Sequence, residues 1–164
     1  MLILKQNNNI TKILQLNQMT FRKIVVAIIT PTHTKKSFEL GLEMAKKFDS
    51  ELTVIECVYK IPPKFYFFET KSDKKTTQSQ ITKLKVELKN WKEIAQKAGV
   101  LIKTKFALTD NISHWVIDYV KENKTDLLIV DYPKLSLEEI TLFDDIINTI
   151  HHKSHCHLLT MKSV

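Results

Sequence analysis

One segment constrains the fold of this chain more than any other. From Lys23 to Ile29 the sequence is apolar at every position after the lysine, and most of its residues are β-branched. A strand that is apolar on both of its faces is typical of the interior of a parallel sheet, with helices packed against both sides. The run therefore predicts that the chain is an α/β protein with this segment inside the sheet.

The rest of the chain alternates strand and helix patterns in the same way. Strands are predicted at 23–29, 51–59, 102–107, 126–130 and 157–161, and helices at 34–48, from about 81 to 98, from 112, and around 140–150. Regular alternation predicts a mostly parallel five-stranded sheet with right-handed crossovers and helices on both faces. We expect one domain over residues 21–164, preceded by an N-terminal extension at 1–20.

Composition narrows the function classes. The 164 residues contain only 2 Gly, which argues against a glycine-rich phosphate loop, and 2 Cys outside any C-x-x-C pair, which predicts reduced thiols in a cytoplasmic protein. The first ten residues lack the long apolar stretch of a signal peptide or membrane span. No cofactor and no membrane insertion are predicted.

The net charge of +7 is concentrated in one part of the chain. Residues 60–105 hold 12 Lys against 4 acidic residues. Such a segment can attract polyanions, but it has no Arg and its helix carries no interleaved aromatic residues, so no specific nucleic-acid binding is predicted.

Several segments resemble the universal stress protein family over roughly residues 22–162. The helix ending Leu42-Glu-Met-Ala-Lys-Lys-Phe48, the strand in Lys124-Thr-Asp-Leu-Leu-Ile-Val130 and the closing Ser154-His-Cys-His-Leu-Leu-Thr-Met161 are similar to the family's segments in order and spacing. The resemblance implies the strand order 3-2-1-4-5. It also implies a homodimer through the last strand, His157, Leu158, Leu159, Thr160 and Met161.

The nucleotide-binding members of that family carry G-x2-G-x9-G-[ST] after the fourth strand, and this chain departs from that pattern throughout. Counting back from Cys156, the four motif positions are occupied by Asp131, Lys134, Asp144 and Asp145. The aspartate and glycine that end the family's first strand are replaced by Ile29 and Thr30.

These replacements bear directly on phosphate binding. Phosphate loops need Gly because backbone N–H groups must approach the anion closely. Adjacent carboxylates repel a polyphosphate by about 1–4 kcal/mol per contact at ~4 Å. The resemblance thus implies the branch of the family without ATP binding, a stress-response or regulatory binding module rather than an enzyme. The alternative is a divergent nucleotide or small-ligand binder that uses the cleft at the strand C-termini.

A cluster of side chains near the C-terminus offers a third hypothesis, a metal-handling protein. Imidazole and thiolate groups suit Zn²⁺ or Cu, and the candidates are His151, His152, His155, Cys156 and His157. A basic helix end followed by a strand explains the same residues and is favoured.

Two further groups have structural and functional interpretations. Asp131, Asp144 and Asp145 can form a cation site or an acid/base pair, but we favour helix N-terminal acids that cap the last helix.

The run Phe65-Tyr66-Phe67-Phe68 after Pro62-Pro63 is predicted to cover the strand-end cleft. If its rings are exposed, it is a docking patch for an unidentified protein partner.

Overall fold

The chain was analysed as a computed structural model, which describes residues 20–29, 35–63, 68–132 and 135–162. Strands and helices alternate without exception. In chain order they are β1 (Lys23–Ile28), α1 (Lys36–Phe48), β2 (Glu51–Tyr59), α2 (Lys71–Lys97), β3 (Ile102–Thr109), α3 (Ile112–Glu122), β4 (Leu127–Tyr132), α4 (Leu137–Lys153) and β5 (His157–Lys162).

The five strands form one sheet in the order β3-β2-β1-β4-β5. All four strand pairs are parallel, so the predicted order is confirmed and the sheet is parallel throughout. The continuous apolar run of β1 follows from its central place, because the residues Ile24–Ile28 are at most 2% exposed and contact helices on both faces.

Two hydrophobic layers flank the sheet. On one face, α1 and α2 pack through Phe38, Leu42 and Trp91. On the other face, α3 and α4 pack through Val116 and Phe143. Among the described residues, no helix is both long and apolar enough to cross a bilayer.

Gly41 sets how closely α1 approaches the sheet. A Cβ placed on Gly41 would lie 2.5 Å from Cγ2 of Val26 in β1, a distance that two carbon atoms do not tolerate. The absent side chain therefore permits the close helix–sheet contact that holds the start of α1 over the strand ends.

Helix starts differ from the sequence expectation in three places. Helix α1 has Lys35 as its N-cap and begins at Lys36, whereas the predicted start at residue 34 lies outside the described residues. Helix α2 begins ten residues earlier than expected, because Thr70 and Asp73 form a capping box. Helix α4 begins at Leu137, because Ser136 and Glu139 form a second one.

Candidate functional site

In an open parallel sheet, ligands bind at the carboxyl ends of the strands near the point where the strand order reverses. Here that point lies between β1 and β4. Ile29, which follows β1, is only 7% exposed and belongs to the core on the α3–α4 face. Asp131 in β4 is 2% exposed. The other two predicted positions at this edge, Thr30 and Lys134, lie outside the described residues.

Asp144 and Asp145 lie well inside α4, not at its N-terminus. The helix begins at Leu137 and continues to Lys153, so both residues come after the second turn. The interpretation of this pair as N-terminal capping acids was therefore wrong. Backbone N–H groups at these positions are bonded to carbonyls four residues earlier, as the first such bond, from Ile140 N–H to the Ser136 carbonyl at 2.9 Å, already shows.

The true N-terminus of α4 is occupied by its own side chains. Glu139 Oε2 accepts hydrogen bonds from Ser136 N–H at 3.0 Å and from Ser136 Oγ at 2.7 Å. These bonds, first of all the one from the Ser136 side chain, lower the pKa of Glu139. A carboxylate thus already sits where a helix N-terminus would otherwise attract a phosphate.

Asp144 contacts the end of β4. The Tyr132 hydroxyl donates a hydrogen bond to Asp144 Oδ1, and this bond is the main reason why the pKa of Tyr132 is raised. The Tyr132 ring also meets Phe143 edge-on, with centroids 4.9 Å apart. Asp145, next to it in the helix, is exposed. The predicted trio Asp131, Asp144 and Asp145 is thus split between a buried strand position, a tyrosine-bound position and the surface.

A buried carboxylate that the sequence analysis missed lies at the same end of the sheet. Glu56 in β2 is 7% exposed, and its Oε2 has no hydrogen-bond partner among the described residues. Burial, and secondly the negative charge of Glu87, raise its pKa to about 7. The sequence carried a signal for this site, because Glu56 lies between Ile55 and Cys57 in a strand whose other charged residue, Glu51, is at its exposed start.

The histidine and cysteine candidates do not converge. Within the described part of the chain, no three His, Cys, Asp or Glu side chains are grouped so that they could hold a metal ion. His151 and His152 occupy the last turn of α4, where they complement the helix dipole. His157 packs edge-on against Phe21 at 5.9 Å, and burial is the main cause of a raised pKa at Cys156.

Strand β5 forms one edge of the sheet, and its side chains range from half-buried to exposed. The aromatic run after β2 is described only at its end. Phe68 is 62% exposed, whereas Phe65, Tyr66 and Phe67 lie outside the described residues, so the predicted cover over the cleft stays a prediction.

The strand order and the two helical layers define an open, doubly wound α/β domain. Within that class, the sequence model of the universal stress protein family matches residues 20–162, and the chain belongs to this family. The comparison with curated proteins gave no match.

Solved structures share the fold at low sequence identity. The universal stress protein UspA from Lactobacillus plantarum is 11% identical with a TM-score of 0.67, over 85% of this chain and 98% of its own. A universal stress protein in complex with cAMP is 15% identical with a TM-score of 0.59, over 88% and 99%. The universal stress protein from Archaeoglobus fulgidus in complex with dAMP is 14% identical with a TM-score of 0.58, over 87% and 98%.

Proposed function

We propose that this chain is a non-catalytic regulatory module of the universal stress protein family that does not bind adenine nucleotides and does not hydrolyse ATP. The observation that carries the proposal is the unbroken helix α4. Phosphate binding by a loop requires several free N–H groups directed at one point. At Asp144 and Asp145 those groups are engaged within the helix, so no cradle forms there.

Charge supports the same proposal. Three carboxylates occupy motif positions at which the nucleotide-binding members have Gly, Ser or Thr, and Asp131 is 2% exposed. A polyphosphate brought to this edge would meet like charges in a partly desolvated place, at about 1–4 kcal/mol for each contact near 4 Å. The Tyr132 hydroxyl offsets part of the charge of Asp144.

A second candidate, a divergent nucleotide or small-ligand binder, is favoured by the comparisons. Two proteins of the same fold are described in complex with cAMP and with dAMP. In this chain such a ligand would need contacts other than those of the glycine motif.

Calorimetric titration distinguishes the two candidates. MgATP, AMP and cAMP, each titrated to about 1 mM, should give no saturable heat. A titration to that concentration detects any binding stronger than about 4 kcal/mol. A clean micromolar isotherm with any of the three would overturn the proposal.

A double variant tests whether side-chain charge or the helical backbone prevents nucleotide binding. Asp144→Gly combined with Asp145→Ser restores the family's residues and removes two carboxylates. If the helical backbone is the barrier, this variant should still show no heat with MgATP. A gain of micromolar affinity would show that the side-chain charges alone exclude the nucleotide.

We further propose that the chain is a cytoplasmic homodimer. Strand β5 is an edge whose outward N–H and C=O groups need a partner strand, and antiparallel pairing with a second β5 gives a self-complementary two-fold contact. Cys57 and Cys156 are free thiols, which supports a reducing compartment.

A further inference from the structure

The two halves of α2 differ in what they contact. The helix spans Lys71–Lys97, but its buried residues, Leu84, Leu88, Trp91 and Ala95, all lie in the second half. Residues 71–83, about 20 Å of helix, bury no side chain in the sheet. A helical segment that is polar all round and has little packing of its own is typical of a surface that contacts something else.

A groove lies between this first half and the segment that follows β2. It has a volume of about 340 Å³. Its helical wall presents hydroxyl and ammonium groups, and its other wall presents an aliphatic side chain. The residues concerned are Ser72, Lys75, Thr76, Ser79 and Lys83 on the helix, and Ile61 opposite.

The charge of the groove has one sign. Two lysines line it and no acidic side chain does. Ile61 is 51% exposed, and Phe68, at the end of the same connection, is 62% exposed. The groove therefore combines two lysines with the half-exposed side chain of Ile61, which suits a ligand carrying both negative charge and an apolar group.

Gln80 adds a hydrogen-bonding feature to the groove. Its Nε2 donates to the Tyr59 carbonyl at 3.1 Å, which fixes the side chain against the end of β2. Its Oε1 is a buried acceptor without a partner among the described residues. The fixed side chain holds the first half of α2 against the end of β2 and so sets the shape of the groove at this point.

We propose that this groove docks an acidic, extended segment of a partner protein, with an aliphatic side chain against Ile61 and carboxylates at Lys75 and Lys83. The two lysines are eight residues apart on the helix, or about 12 Å along its axis. An extended peptide advances about 3.3 Å per residue, so the two acids should be about four residues apart with the aliphatic residue between them.

Fluorescence anisotropy with a defined probe tests the proposal. The probe is a labelled decapeptide with two glutamates four residues apart, a leucine midway between them, and Gly and Ser elsewhere. It should bind saturably at low salt and more weakly at 150 mM salt, because exposed charge pairs are screened. The same peptide with lysines in place of the glutamates should not bind.

Matched variants localise the interaction. Lys75→Glu with Lys83→Glu should weaken binding by about tenfold or more, since two attractions become repulsions. Lys85→Glu with Lys92→Glu makes the same change at exposed positions of α2 outside the groove, and should change the Kd by no more than about twofold. Ile61→Ser should weaken the leucine probe but not a probe with serine in its place.

Three results would overturn the proposal. The first is that both lysine double variants weaken peptide binding equally. The second is that the peptide shows no saturable binding. The third is that short duplex DNA or phosphatidylserine vesicles bind through Lys75 and Lys83 while the peptide does not. Amide shift mapping on the unmutated ¹⁵N-labelled chain gives a check that needs no variant, with changes expected at Ile61 and residues 72–83. Changes centred elsewhere would contradict it.

The result of these peptide experiments does not depend on whether the chain binds nucleotides. The residues that line the groove are not among the positions of the family's nucleotide-binding motif.

Discussion

At the scale of single residues, Glu56 has the least favourable environment for its charge. It is buried in β2, and its folded-state pKa of about 7 is above the ordinary glutamate value of 4.5. The folded state therefore binds this proton more tightly than the unfolded state does. The free energy of unfolding should fall as the pH rises from about 4.5 to about 7, and the loss, roughly 3 kcal/mol, should be complete above that range.

The first prediction concerns the replacement Glu56→Gln, which removes the ionisation and keeps the shape. At pH 8 the variant should be about 2–3 kcal/mol more stable than the unmodified chain, and at pH 5 the difference should shrink to about 1 kcal/mol or less. Urea denaturation at both pH values measures the difference.

Glu87→Gln serves as the control for this prediction. The charge of Glu87 is the second cause of the raised pKa of Glu56. Removing that charge should lower the pKa of Glu56, so the free energy of unfolding should still fall with rising pH, but over a range that ends at a lower pH. A Glu56→Gln variant with the same pH dependence as the unmodified chain would show that Glu56 is not the titrating group.

At the scale of elements, different interactions stabilise the two halves of α2. The first half depends on the Thr70–Asp73 capping box, in which Thr70 N–H donates to Asp73 Oδ2 at 2.9 Å. The second half is anchored by buried side chains such as Trp91. Local stability should therefore increase along the helix.

The second prediction follows from this gradient. Amide hydrogens of residues 75–83 should exchange much faster than those of residues 84–97, because opening the first half exposes no buried side chain. Thr70→Ala should speed exchange in the first half, since a lost N-cap costs about 1 kcal/mol, and should leave the second half unchanged. Hydrogen-exchange mass spectrometry resolves the two segments, and uniform protection along α2 would contradict the prediction.

Element types were readable from the sequence, and the start of α3 at residue 112 is confirmed, whereas the starts of α2 and α4 were predicted too late. The apolar run of β1 and the helical spacing of Leu84, Leu88 and Trp91 identify their elements directly, because burial imposes the period. The starts of α2 and α4 depend on local capping bonds in segments without apolar periodicity. The patterns Thr70-x-x-Asp73 and Ser136-x-x-Glu139 carried that information and were overlooked.

The same oversight affected the candidate site. The motif positions Asp144 and Asp145 were identified by counting along the chain, which says nothing about backbone conformation. Their helical state follows from the early start of α4, and the contact of Asp144 with Tyr132 depends on how α4 packs on the sheet. Packing geometry of this kind is not encoded in residue spacing.

At the scale of the whole molecule, β5 forms an edge of the sheet that no described strand covers. Pairing with a second copy of the chain would cover it. His157 N–H donates to the Asp126 carbonyl at 3.0 Å, so it points toward β4. Because N–H directions alternate along a strand, Leu159 N–H also points toward β4, and Thr160 N–H points to the open edge.

The third prediction uses this alternation. Thr160→Pro removes a donor on the outer edge and should convert a dimer into a folded monomer, whereas Leu159→Pro removes a donor to β4 and should destabilise the fold itself. Light scattering at tens of micromolar reports the mass, and circular dichroism reports the fold. A monomeric unmodified chain at that concentration would refute the dimer.

The central place of β1 also has a consequence for synthesis on the ribosome. Among the described strands β1 is made first, yet it is bordered by β2 on one side and by β4 on the other. Lys23 N–H donates to the Asp126 carboxylate across 103 residues. After β2 is complete, roughly 70 more residues must be translated before β4 emerges, which takes about 3–14 s at 5–20 residues per second. During those seconds the nascent chain carries the apolar strand β1 with one edge unpaired, which is the condition under which a folding chain is most prone to aggregate.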